Sequence, residues 1–324
     1  MAPEDVRKRI KGIVAGVPTL YDDRYRIDTA KIESHVDYVA SQGIAVFMVS
    51  LGISEVALLT QTELEQVVKA VVSGARGRAI VLATTGMWWT GQAIEYARRL
   101  ADSGADALIA FPFLYPYSDY VPASHDDTIY DFFVQVAEAT SLPIVVHCKH
   151  LDGPTGRQIP WSASLLERVV SLERVVGMKE ESLNRAFFYH VLRRYGERLA
   201  IVDDYGKESF LITCQMGASA YVSGICQFAP AVALSYLKAL QDGDFCEASR
   251  IASQVVQPLE AKVAELGLGW VAGIKAYMEV CGLPRSPVRP PLTSATEGEK
   301  KVLRDMLKAV GLVGGQQLPG GGRY

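Results

Sequence analysis

The sequence predicts an α/β fold, a (β/α)8 barrel followed by a C-terminal helical bundle. Three observations predict it. Eight short apolar runs alternate with longer amphipathic stretches between residues 12 and 224, the pattern of parallel strands joined by crossover helices. No Gly-x-Gly-x-x-Gly opens a helix after any of these runs, which disfavours a doubly wound dinucleotide-binding sheet. The 324 residues suffice for one barrel, typically ~250 residues, with an addition.

The runs at 12–18, 45–50, 79–84, 107–111, 143–147, 174–179, 199–203 and 219–224 read as strands. They are nearly continuous in apolar residues, as strands covered on both faces must be. Helices fill the intervals. The stretch 32–41 stops at Gln42-Gly43, a C-cap signal. The stretch 61–73 follows Thr60, and Glu63 three residues on completes a capping box. The stretch 91–102 ends near Gly104, and 126–139 follows a polar turn. Stretches 162–171, 185–195 and 209–216 complete the alternation. From about Ala229 the apolar spacing is helical throughout, over 230–240, 245–266, 270–281 and 297–310. The prolines of 282–291 make a rigid connection, and the Gly-rich end predicts a disordered tail. The expected organisation is a barrel over 1–228, a helical domain over 229–313 and the tail 314–324.

Composition narrows the class. The chain is 49% hydrophobic and 21% charged with a formal net charge of −3, so neither a nucleic acid nor an anionic membrane is expected as partner. Five scattered cysteines without a Cys-x-x-Cys pair fit reduced thiols in the cytoplasm. Met1 to Lys11 lacks the apolar core of a signal peptide, and the longest apolar runs are too short to span a bilayer.

The chemistry centres on Val175-Val176-Gly177-Met178-Lys179. An apolar strand delivers one lysine at its C-terminal end, where α/β folds build sites. Desolvation of its ammonium is expected to lower the pKa and free the amine for Schiff-base formation with a 2-oxo acid. The competing reading is a lysine leaving the strand for solvent beside Glu180 and Glu181. His147 ends the fifth strand and offers an imidazole that exchanges protons near neutrality, unless it is a packed group. Cys148 points to the opposite face, into core. No metal is expected: His147 and His150 face opposite ways, and the stretch supplies no spaced carboxylate. In the turn after the second strand, Gly52, Ile53 and Ser54 offer backbone N–H groups and a hydroxyl to a substrate carboxylate, with Glu55 as a structural buttress. Trp88, Trp89, Phe111, Phe113, Tyr115 and Tyr117 either wall a site or pack. Asp203, Asp204 and Tyr205 either orient a substrate hydroxyl or cap the next helix.

Several of these stretches carry a resemblance. Gly16-Val17-Pro18-Thr19, Ser54-Glu55 with Leu59-Thr60-Gln61-Thr62-Glu63, Gly104-Ala105-Asp106-Ala107 with Phe111-Pro112-Phe113, Leu142 to Val146, Val176 to Glu180 and Gly217 to Ser223 stand in the order of the dihydrodipicolinate synthase / N-acetylneuraminate lyase family motifs. The chain resembles that family from Gly12 to about Val313. The resemblance implies a TIM barrel with the Schiff-base lysine, Lys179, on the sixth strand. It also implies a C-terminal helical bundle, a homotetramer, and no cofactor beyond the lysine imine. It sets Tyr205 at the seventh-strand glycine and Val222 within the Gly217–Ser223 motif, and with Gly52, Ile53, Ser54, Trp88 and Phe113 these are the expected substrate-binding residues. The departures argue against lysine biosynthesis. The synthase's relay threonine falls on Gly52, its tyrosines on Leu114 and His147, and the seventh-strand glycine on Tyr205; its carboxylate-binding arginine has no counterpart in 150–154. His147 therefore stands where the family places a phenol beside the lysine. The reactions implied are aldol cleavage or condensation with pyruvate, dehydration of a deoxy-sugar 2-oxo acid, or binding alone in a non-catalytic relative.

Overall fold

The computed structural model describes residues 1–86, 89–112, 126–149, 161–182 and 184–312. The strands are β1 Gly12–Gly16, β2 Val46–Val49, β3 Ile80–Thr84, β4 Ala107–Ala110, β5 Ile144–Lys149, β6 Val175–Glu181, β7 Ala200–Asp203 and β8 Ala220–Ser223. They close into a barrel in chain order, and the pairs from β3 to β8 are parallel. The helices are α1 Pro3–Arg9, α2 Thr29–Ser41, α3 Gln61–Ala75, α4 Thr90–Asp102, α5 Asp126–Ala139, α6 Ala163–Ser171, α7 Arg185–Tyr195 and α8 Lys207–Thr213, then α9 Pro230–Gln241, α10 Phe245–Arg250, α11 Gln257–Glu265, α12 Trp270–Val280 and α13 Glu297–Ala309. The expected (β/α)8 barrel with helices after it is therefore the observed fold, and the Thr60–Glu63 capping box closes as its spacing implies.

Three elements differ from expectation. Helix α1 was not expected. Pro3 starts it, Glu4 and Asp5 lie at its positive end, and Arg7, Lys8 and Arg9 lie at its negative end, with Val6 buried. The single helix expected over 245–266 is wound as a π-helix over Ile251–Val256 between α10 and α11. Pro258 explains the change. It has no N–H to donate and its ring crowds the preceding turn, which the wider winding relieves. Finally, β6 runs to Glu181 instead of stopping at Lys179. The neighbouring strand continues beside it, pairing Cys148 with Glu180 and Lys149 with Glu181, so polar residues are held extended.

Close contacts group the chain into two units, Met1–Val14 with Ile80–Val222 and Ala15–Ala79 with Ser223–Tyr324. In the first, β6 lies against β7 with Gly177 opposite Ala200 and Lys179 opposite Val202. A Cβ on Gly177 would meet the Ala200 carbonyl oxygen at 2.8 Å, so glycine permits this approach. In the second, Glu55 adopts a left-handed φ of 53° and is buried with Lys275, whose Nζ lies 2.5 Å from Oε1. Arg289 N–H donates to Oε2 at 3.0 Å, and the Arg289 guanidinium clasps Glu63, holding its carboxyl below the usual range. Burial lowers the Lys275 pKa to about 8 in spite of Glu55. Glu55 is thus the buttress that the sequence suggested. Among the described residues no helix is long and apolar enough to cross a membrane.

Candidate active site

Strand alternation decides what Lys179 meets. On β6, Lys179 and Glu181 share one face while Glu180 takes the other. Register places His147 of β5 directly beside Lys179. The Lys179 Nζ lies 3.0 Å from His147 Nε2 and 3.0 Å from Glu181 Oε2, and it donates to Asp204 Oδ2. His147 Nε2 lies 2.9 Å from the same Glu181 oxygen, and the Phe111 ring stands 5.2 Å from the imidazole. Both Lys179 and His147 are buried, at 4% and 3% exposure, so water screens this cluster weakly.

The electrostatics correct the expected lysine pKa. Burial does push it down, but the charges of Asp204 and Glu181 outweigh burial and raise it above 10.5. The resting group is an ammonium. Burial pushes Asp204 up to about 6 although the ammonium pulls it down. The expectation that no carboxylate joins His147 is corrected as well. Glu181 and Asp204 come from outside the His147–His150 stretch, and with His147 they place one donor atom each within 4.8 Å of one another. Lys179 Nζ bonds to all three, so the cation they share is the lysine's own.

A second layer lies behind the first. Glu180 is fully buried, and its Oε1 accepts the Ser182 N–H at 3.0 Å. Asp203, opposite it on β7, accepts from Tyr205 N–H at 2.9 Å, Ser209 Oγ at 2.8 Å and Thr213 Oγ1 at 2.5 Å. Asp203 therefore anchors α8, as a capping residue would, while Asp204 faces the lysine. Burial raises both carboxyls, Glu180 to about 7, with Asp203 adding to the rise of Glu180. Cys148 is buried, its thiol pushed well up by burial, in keeping with a core position.

The other expected site residues fall as follows. Tyr205 is half-buried, its ring stacked 5.9 Å from Phe188 and its hydroxyl 3.5 Å from Ser182 Oγ. Val222 is half-buried on β8. In the second unit Gly52 is exposed and Ile53 buried against Gly16. The hydroxyl role expected of Ser54 is corrected: it donates to Val17 O at 2.6 Å and accepts from Ser50 N at 3.0 Å, fully buried, and so holds its own turn together. Trp89 is 71% exposed, which removes it from any wall within its unit. Trp88, Phe113, Tyr115, Tyr117, Leu114, His150 and the 151–154 segment lie outside the described residues. Glu181 was missed as a site residue, and Asp204, expected to meet a substrate hydroxyl or cap a helix, meets the lysine instead. The signal for Glu181 was its place two residues after Lys179.

A barrel strand that carries an amine among an imidazole and two carboxylates has the parts of a lyase working through a lysine imine. The chain belongs to the dihydrodipicolinate synthetase family, which it matches over residues 9–310. Members of that family are class I Schiff-base lyases and aldolases that use a lysine without an external cofactor. A relative from Bradyrhizobium diazoefficiens, named a probable 5-dehydro-4-deoxyglucarate dehydratase, is 29% identical over 312 residues, covering 95% of each chain. The crystal structure of dihydrodipicolinate synthase from Bacillus clausii aligns with a TM-score of 0.80 at 25% identity, covering 94% of this chain and 99% of that one. A catalytic-lysine mutant of the Ruminococcus gnavus sialic acid aldolase aligns with a TM-score of 0.83 at 19% identity, covering 94% and 96%.

Proposed function

We propose that this enzyme dehydrates a hydroxylated 2-oxo acid of the sugar-acid class through an imine on Lys179. The observation that carries the reading is the buried Lys179 amine in hydrogen-bond contact with His147, Glu181 and Asp204. The dehydratase name of the 29% identical relative favours loss of water over carbon–carbon cleavage.

The proton balance closes within this cluster. The ammonium passes a proton to a neighbour and attacks the ketone carbon; the C–N bond forms and the oxygen takes that proton. A second proton from nitrogen leaves with the oxygen as water. Ammonium and ketone thus give iminium and water, with no net proton gained or lost. The iminium then acidifies the adjacent carbon. A base takes that proton to form the enamine, and the hydroxyl one carbon further leaves with a proton from an acid. His147 is assigned the carbon-bound proton, and Asp204, buried and titrating about 6, the departing hydroxyl. Water hydrolyses the product imine and returns the lysine. No metal or organic cofactor is needed in these steps.

The test uses 5-dehydro-4-deoxyglucarate, whose name describes a 2-oxo acid with an adjacent methylene and a hydroxyl beyond it. Mass spectrometry of the products should show loss of water. Release of pyruvate instead would make the protein an aldolase. Absence of turnover together with absence of a borohydride-reducible pyruvate adduct would make it a binding relative.

A further inference from the structure

The ends of β6 and β7 are built alike. On each, an outward carboxyl accepts the backbone N–H two residues on: Glu180 from Ser182 at 3.0 Å and Asp203 from Tyr205 at 2.9 Å. On each, the residue between is an acid whose carboxylate meets the Lys179 amine, Glu181 at 3.0 Å and Asp204 beside it. The two clasps face one another in register, Glu180 opposite Asp203, and the Asp204 N–H donates to the Glu180 carbonyl at 3.2 Å. They are not equivalent. Asp203 holds three donors, whereas Glu180 Oε2 is buried without a hydrogen-bond partner among the described residues. One clasp is tied to helix α8, and the other is tied to the turn at Ser182, with Tyr205 beside it.

We propose that Glu180 is a positioning residue: its clasp on Ser182 turns the end of β6 so that Glu181 meets both Lys179 and His147. The inference rests on the reading of Lys179 as the imine lysine. Pairing with β5 holds the backbone through Glu181, and losing the Glu180 carboxyl frees the turn at Ser182 that follows it. Glu181 then swings from the amine, while Asp204, held by the intact Asp203 clasp, stays. The ammonium loses one of two carboxylate partners and His147 loses its own. The titratable groups facing Glu180 are Cys148 from β5 and Asp203 and Tyr205 from β7 and the turn after it. Asp203 makes the Glu180 carboxyl harder to ionise, and Ser182 and Tyr205 make it easier.

The experiment compares Glu180→Ala and Glu180→Gln with wild type by crystal structure and by the pH dependence of borohydride trapping with pyruvate. In Glu180→Ala, Glu181 Oε2 should leave both Nζ and His147 Nε2 while Asp204 keeps its contact. The trapping rate should fall about ten- to a hundredfold, the scale of a misplaced group near the chemistry, and its rise with pH should move to lower pH. Glu180→Gln keeps an oxygen acceptor for Ser182 and should restore geometry and profile. An unmoved Glu181 in the Glu180→Ala crystal, or a wild-type pH profile for that variant, overturns the proposal. If Glu180→Ala does not fold, a displaced Glu181 in Glu180→Gln, where the clasp is kept, overturns it and an undisplaced one supports it. If wild type traps no pyruvate, the imine reading fails, and the position of Glu181 in the crystals still decides the role of Glu180.

Discussion

Replacing Lys179 by alanine removes the cation that Asp204, Glu181 and His147 share, and the consequence for stability follows from Asp204. Burial holds that carboxyl at about 6 in the folded protein against an ordinary 3.8. At 1.36 kcal/mol per pH unit, this interval corresponds to about 3 kcal/mol. A folded pKa above the unfolded one means that the folded chain binds the proton more tightly. The contribution is present in full below about pH 4 and is lost as pH rises through 6. A contacting opposite charge lowers a carboxyl pKa by ~1–3 units, so deleting the ammonium extends the loss to higher pH by about 1.5–4 kcal/mol. At pH 5 Asp204 is mainly protonated in either protein and the extension is absent. Urea unfolding of wild type and Lys179→Ala at pH 5 and pH 9 should therefore show a gap that widens by about 1.5–4 kcal/mol at the higher pH. The same samples, treated with pyruvate and borohydride, should show an adduct in wild type alone. A gap independent of pH would refute the electrostatic coupling, and an adduct on the alanine variant would place the imine elsewhere.

Other outcomes follow from the same contacts. His147→Phe should lower turnover by about two to four orders of magnitude, the usual share of general acid–base catalysis, with His147→Tyr recovering part; full activity in the phenylalanine variant would make the imidazole packing. Lys275→Met should reduce stability by about 3–5 kcal/mol because Glu55 stays buried, and the double variant with Glu55→Gln should recover most of that in denaturant titrations. Light scattering should give a homotetramer, the assembly that the family resemblance implies; a monomer at micromolar concentration would remove that expectation.

The barrel was legible because strands covered on both faces must be apolar, and the eight runs stand out against helices with charged outer faces. Helix α1 was not, since its seven residues bury Val6 alone. Lys179 and His147 were readable from their places at the ends of apolar runs, although each strand continues two residues further. Their partners were harder to read. The acidic doublets Glu180-Glu181 and Asp203-Asp204 look like solvated or capping residues, and no local rule says which member of each points inward. That choice is made by pairing with the neighbouring strand, which keeps β6 extended through Glu181 and sets Glu180 opposite Asp203. Asp204, distant in sequence, and Glu181, two residues on, together reversed the expected lysine pKa, because burial alone lowers it and their charges outweigh burial.

Gly177, two residues before the lysine, bears on any attempt to transplant this chemistry. Its missing side chain lets β6 and β7 approach. An alanine there would stand 2.8 Å from the Ala200 carbonyl, short of the 3.4 Å at which ordinary contact begins. The shortfall is as large as the ~0.5 Å within which a catalytic constellation must be held. Asp204 directly follows β7, so a host barrel with a side chain at that place would carry the acid away from the amine by the whole tolerance. A graft therefore has to copy five positions, Lys179, His147, Glu181, Asp204 and Gly177, and the last has no functional group to advertise it.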